Sequence, residues 1–184
     1  MPVILTCFIL VFVSEMGDKT QLLALVLAGR FKRPWTVMAG ILVAALGSQL
    51  LASWLGGLIA FFLSPAAVRW IVGLSFLGFA AWMLRPEGKE KMGEGGHSGA
   101  FWTTVISMIL AEVGDKDQMT TIALGARFGE PLRVAAGSTL GVLAADGLAV
   151  FFGRNVVDRV PRVWLRRAAS LLFAVFGIVV LLRR

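Results

Sequence analysis

The chain has 184 residues, 58% of them hydrophobic and 16% charged, with a mean hydropathy of +0.82. A soluble domain of this length needs roughly a quarter of its residues charged to cover a core, so the composition excludes an ordinary water-facing globule and points to the bilayer as solvent. The net charge of +7 does not mark a nucleic-acid binder, because no basic stretch is interleaved with aromatic residues outside an apolar run.

Six apolar runs are long enough to cross a hydrocarbon core of about 30 Å as helices. They extend from Val3 to Ala28, Trp35 to Leu63, Ala66 to Leu84, Phe101 to Ala126, Leu132 to Phe152 and Val163 to Leu182. Lone strands would leave their backbone unpaired in lipid, so the expected class is an all-α membrane protein with six transmembrane helices. The start lacks a basic segment, and its apolar run carries Glu15 and Asp18 with no small-residue cleavage site after them, so no removable signal peptide is expected.

The hydrophilic stretch from Arg85 to Ala100 reads as a linker between residues 1–84 and 101–184, each half holding three helices. His97 within it reads as a solvated loop histidine, and with Cys7 the only cysteine, neither a disulfide framework nor a zinc site of the usual ligands is available. The linkers after the first, third and fifth runs hold eleven Lys and Arg residues, including Lys32, Arg33, Lys89 and Arg159, against five on the opposite side. By the positive-inside rule the linker 85–100 is cytoplasmic and both chain ends face outward, in the plasma (inner) membrane.

An offset of 97 residues places Glu15, Gly17, Asp18, Lys19 and Gln21 on Glu112, Gly114, Asp115, Lys116 and Gln118. At the same offset Arg30, Phe31, Pro34 and Gly40 fall on Arg127, Phe128, Pro131 and Gly137, and Phe76 and Phe79 on Phe173 and Phe176. Charged, proline and glycine identities at one constant offset indicate duplication. Because each copy has three crossings, the second enters the membrane upside down, which predicts two inverted three-helix repeats with a substrate site near the midplane. The second run of each copy carries small residues at every fourth position, Gly40, Ala44, Ser48, Ala52 and Gly56 in one and Gly137, Gly141, Ala145, Ala149 and Gly153 in the other, a pattern of close helix packing.

Glu15, Asp18, Glu112, Asp115, Asp117 and Asp146 lie inside apolar runs, with Lys19 and Lys116 beside them. One ionisable group at the bilayer centre costs about 2.5–3.5 kcal/mol on insertion scales, so such a cluster must face a polar cavity or pair internally. In a continuous helix Glu15, Asp18 and Lys19 share a face, as do Glu112, Asp115 and Lys116; Gly17 and Gly114 equally permit a helix break. With Thr20, Gln21, Gln118 and Asp117 as further oxygen donors and no Cys or His nearby, the inventory suits a hard cation such as Ca²⁺, Mn²⁺ or Mg²⁺. Fully ionised, the five motif acids and two lysines carry −3, which a dication brings to −1. Competition between metal and protons for these oxygens is the physical basis of proton-coupled antiport. The bland alternative is that the lysines neutralise acids as interhelical ion pairs. Asp146, and Gln49 at the equivalent position of the other half, are candidate contributors.

EMGDKTQ at Glu15–Gln21 and EVGDKDQ at Glu112–Gln118 strongly resemble the doubled E-x-G-D-K-[T/S] signature of the Gdt family of cation transporters, the transmembrane protein 165 relatives. The resemblance covers the whole chain. It implies a transporter, not an enzyme, exchanging Mn²⁺ or Ca²⁺ for protons, with manganese export associated with bacterial members and no cofactor beyond the transported ions. By motif position it implies Glu15, Asp18, Glu112 and Asp115 as ion ligands and Thr20 as a supporting hydroxyl. Asp117 departs from the pattern, standing where the family has Thr or Ser, and makes the second motif more acidic.

Three other functions compete: an intramembrane protease, an exporter of a cationic amino acid or other small cation, and a passive channel, which needs no proton-titratable trap. Met16 and Val113 precede the two Gly-Asp pairs, and the Gly-x-Gly-Asp pattern of intramembrane aspartyl proteases is missing. Export of a cationic amino acid would use the carboxylates to hold an ammonium, against repulsion from Lys19 and Lys116.

Overall fold

The computed structural model describes residues 2–84, 99–152 and 162–182, which are helical throughout apart from short connections. Residues 85–98 lie outside the described residues, and with them most of the expected linker, His97 and several basic residues of the orientation argument. Among the described residues there are eight helices and no strand: α1 Val3–Glu15, α2 Lys19–Phe31, α3 Pro34–Phe62, α4 Pro65–Met83, α5 Ala100–Glu112, α6 Lys116–Phe128, α7 Pro131–Phe152 and α8 Arg162–Leu182. The count exceeds six because the first and fourth apolar runs are each interrupted at the acidic motif. Among the described residues only α3 and α7 are both long and apolar enough to cross a bilayer as single helices. Each 13-residue half of an interrupted run rises about 20 Å, short of the roughly 30 Å hydrocarbon core.

Local signals explain the boundaries. Pro34, Pro65 and Pro131 open α3, α4 and α7, where a missing N–H and a fixed φ suit the first helical position. Lys32 (φ 52°) and Gly129 (φ 65°), 97 residues apart, end α2 and α6 in the left-handed conformation. The duplication therefore persists in backbone geometry where the residue types differ.

The two halves interlock. Both α1 and α2 pack on α7, both α5 and α6 pack on α3, α3 packs on α7, and α4 packs on α8. Thus each interrupted run rests on the long helix of the other half. Contacts come in pairs related by the repeat: a Cβ on Gly40 would lie 2.7 Å from the Thr104 Cβ, and one on Gly137 would lie 2.9 Å from the Cys7 Cβ. Phe76 and Phe173, themselves one offset apart, stack on each other with ring centroids 5.4 Å apart in the apolar cluster between α4 and α8.

Large apolar side chains cover much of the outside, while a cluster of charged and polar groups lies buried beside the apolar core. Trp35, Phe61, Phe62, Trp102, Leu110 and Leu132 are exposed, whereas Glu15, Asp18, Gln21, Gln49, Asp117 and Asp146 are buried. An apolar exterior that encloses a buried polar cluster is stable when the surroundings are hydrocarbon.

The small-residue ladder brings α3 and α6 into backbone contact. A Cβ on Gly56 would run into the Ile122 carbonyl and come within 2.8 Å of the Ala126 nitrogen, and one on Gly125 would run into the Ser53 carbonyl. Gly47, on the same helix as Gly56, has nothing within 4 Å of the corresponding position. We therefore expect Gly56→Ala and Gly125→Ala each to destabilise the protein by about 1–3 kcal/mol through overpacking. Gly47→Ala serves as the neutral control, and thermal unfolding in detergent measures all three.

Candidate functional site

Each acidic motif is a helix break in which every letter has a mechanical role. Glu15 is the last residue of α1, and Gly17 turns the chain at φ +80°; Glu112 and Gly114 (φ +73°) do the same at the end of α5. Asp18 caps α2 by accepting from the Lys19 N–H at 2.7 Å, and Asp115 caps α6 from Lys116 at the same distance. At the third position of each new helix, the Gln21 Oε1 accepts from the Gly17 N–H at 2.8 Å and the Gln118 Oε1 from the Gly114 N–H at 2.9 Å. This is close to a capping box, with the amide reaching one residue further back than usual. The break decides between the two options that the sequence leaves open: Glu15 and Asp18 face one another across a turn and do not share one helical face.

The lysines cross between motifs. Lys116 Nζ lies 2.8 Å from the Asp18 carboxylate, and Lys19 Nζ lies 3.7 Å from that of Asp115. The expectation that lysines pair with acids between helices thus describes part of the cluster. The two pairs differ in their surroundings, the Lys116 side chain being 10% exposed and that of Lys19 30%.

Asp18, paired with Lys116, lies in the interior beside two further carboxylates. Glu15, Asp18 and Asp117 each offer an oxygen within 4.8 Å of the others, and all three are buried. Thr20 donates a short hydrogen bond to Glu15, and Ser14 donates one to Asp117. Glu112, Asp115 and Asp146 stand outside this trio. Both oxygens of Glu112 and of Asp146 are buried without a hydrogen-bond partner. Asp146 lies within electrostatic reach of Glu112 and Asp117, and Ser48 adjoins Glu112 without closing a hydrogen bond. The ligand atoms on offer are oxygens from both halves of the chain, with Lys116 Nζ beside the Asp18 carboxylate, a donor set that suits a hard cation.

Of the supporting residues expected from sequence, Gln21 and Gln118 hold backbone with their amide oxygens, and Gln21 Nε2 donates to the Ala145 carbonyl of α7 at 2.8 Å. Sequence reasoning missed Ser14. Its only signal is a hydroxyl just before the first motif, where the second copy has Ala111.

Two outcomes test this geometry by thermal unfolding. Gly114→Ala places a Cβ in open space but at positive φ, so a loss of about 1–2 kcal/mol is expected from backbone strain alone, with Gly114→Asn losing less. Lys116→Met leaves Asp18 buried without its cation and is expected to cost about 3 kcal/mol; Lys19→Met, in the longer and more exposed pair, costs about 1 kcal/mol or less.

Comparison with known proteins identifies the family. The family described as divalent cation/proton antiporter GDT1 matches residues 3–91 and 100–184. A Vibrio cholerae protein named "Putative manganese exporter" is 38% identical over 172 residues, covering 91% of this chain and 84% of that protein. A GDT1-like protein of Synechocystis is 31% identical over 193 residues, covering 93% and 92%. GDT1-like protein 4 of Arabidopsis thaliana is 28% identical over 210 residues, covering 91% and 90%. No solved structure matches the chain. A family of antiporters sets aside the protease, and its divalent substrates stand against a cationic amino acid. The chain belongs to the GDT1 family of divalent cation/proton antiporters.

Proposed function

We propose that this protein exports Mn²⁺, with Ca²⁺ as the second candidate, in exchange for protons through one site near the middle of the bacterial inner membrane. The observation that carries the reading is the buried trio of Glu15, Asp18 and Asp117, contributed by both acidic motifs and brought within 4.8 Å. In this reading the chain has six spans arranged as two inverted repeats, residues 1–84 and 101–184, with a cytoplasmic linker and both ends outside. The crossed lysines and the repeat-related contacts of Gly40 and Gly137 support that arrangement. The name of the Vibrio cholerae relative favours manganese among the hard dications.

The chemistry follows from the donor set. Lys116 neutralises Asp18 in part, leaving Glu15 and Asp117 as the acids most available to a cation, with the Ser14 and Thr20 hydroxyls orienting them. Carboxylates bind a dication only when deprotonated, so cation and proton displace one another at the same oxygens. Glu112, Asp115 and Asp146 form a second rank of acids beyond the trio, placed to receive the ion or protons as the site changes its access. The two helix breaks supply the hinge points for that change.

Proteoliposomes loaded with a pH-sensitive dye test the reading, with Mn²⁺, Ca²⁺ and Mg²⁺ flux followed in parallel. We expect Glu15→Gln and Asp18→Asn to lower Mn²⁺ flux by about tenfold or more, in line with the loss of a metal-site group. Asp117→Thr, which restores the family's usual residue, is expected to keep transport while raising the apparent KM for Mn²⁺ by about tenfold through loss of one ligand charge. The apparent KM of the wild type should rise as pH falls, because protons then occupy the carboxylates. Unchanged flux in both Glu15→Gln and Asp18→Asn would remove the site, and flux without countermoving protons would remove the exchange.

A further inference from the structure

A cavity of about 370 Å³ opens on the outer surface of the bundle, between α1, α6 and α8 and away from the acidic trio. Its walls include Ile9 and Leu10 of α1, and Leu172, Val175 and Phe176 of α8. Arg127, in the last turn of α6, also lines it. Val175 and Val179 are about half exposed and form the mouth. From Leu172 to Val180 the cavity follows α8 for about 12 Å, close to the roughly 15 Å of one hydrocarbon leaflet.

Arg127 is the feature that packing does not account for. It is half-buried, and its guanidinium lies 6.0 Å from the Phe128 ring, yet it forms no ion pair among the described residues. The acid nearest in sequence, Glu130, is taken by Arg133 at 2.6 Å. A helix C-terminus favours a cation there, but a permanent charge at the edge of an apolar cavity still calls for an anion. An occupant with a long hydrocarbon portion and a singly anionic phosphate diester satisfies both walls and charge at once.

We propose that this cavity is a binding site for an anionic phospholipid, one acyl chain lying along α8 between Leu172 and Val180 and the phosphate resting on Arg127. The site is independent of the cation pathway and holds whether or not manganese is the transported ion. Bound there, the lipid touches α1, the end of α6 and α8 at once.

The test uses the full chain in detergent micelles, exchanged with equal amounts of phosphatidylglycerol and phosphatidylcholine and analysed by native mass spectrometry. The wild type is expected to retain phosphatidylglycerol over phosphatidylcholine by about fivefold, the ratio that one basic residue near a lipid surface supplies. Arg127→Gln should bring the ratio to about one, Arg127→Lys should keep most of it, and Val175→Trp, which blocks the mouth, should lower retention of both lipids. Melting temperatures with phosphatidylglycerol and with inorganic phosphate separate the lipid from a free ion. An unchanged ratio in Arg127→Gln, unchanged retention in Val175→Trp, or equal stabilisation by inorganic phosphate would each overturn the proposal.

Discussion

Lys116 reaching Asp18 across the molecule, at 2.8 Å and with both side chains almost fully buried, is the contact on which the interior turns. Six acids and two lysines cannot be held in a hydrocarbon-surrounded bundle unless each charge meets a charge, a dipole or another polar group. The crossed lysines meet that demand for the two aspartates that cap α2 and α6, and the caps in turn satisfy the amides exposed by the helix breaks. Remove the lysines and both capping aspartates lose a cationic neighbour. Remove the breaks and Glu15 no longer faces Asp18 across a turn. The acidic cluster is therefore a by-product of how the chain ends one helix and starts the next in its interior.

The same logic explains why the interior is not symmetric. Thr20 and Asp117 occupy equivalent positions, as do Ser14 and Ala111. Thr20 donates to Glu15 of its own motif, while Asp117 accepts from Ser14 of the other. With a carboxylate at 117 where the first motif has the Thr20 hydroxyl, the second motif contributes Asp117 to the trio, and Glu112 stands outside it.

Much of this was legible in the residues themselves. The six apolar runs, the 97-residue offset, the prolines that open α3 and α7 and the concentration of acids in the two motifs are local signals, each with a direct physical reading. What was not legible was long-range. A glycine in a helix-like run is compatible with a straight helix or a break, and only the positive φ of Gly17 and Gly114 decides it. Nor does one motif announce which lysine of the other it will meet, since that depends on α1 and α2 lying on α7 and α5 and α6 on α3. The glutamines read from sequence as oxygen donors for an ion, yet their amide oxygens are engaged by the backbone they cap.

The interlocking of the halves has a consequence for biosynthesis. Asp18 emerges from the ribosome 98 residues before Lys116, its eventual counter-ion, and α7, the helix on which α1 and α2 rest, comes later still. At about 5–20 residues per second, the first motif waits roughly 5–20 s for its partner. During that interval its charges need the insertion machinery, water at the membrane surface or protonation to shelter them. The order of translation, and not only the final packing, thus shapes how this chain enters the membrane, and the first half is its most vulnerable nascent intermediate.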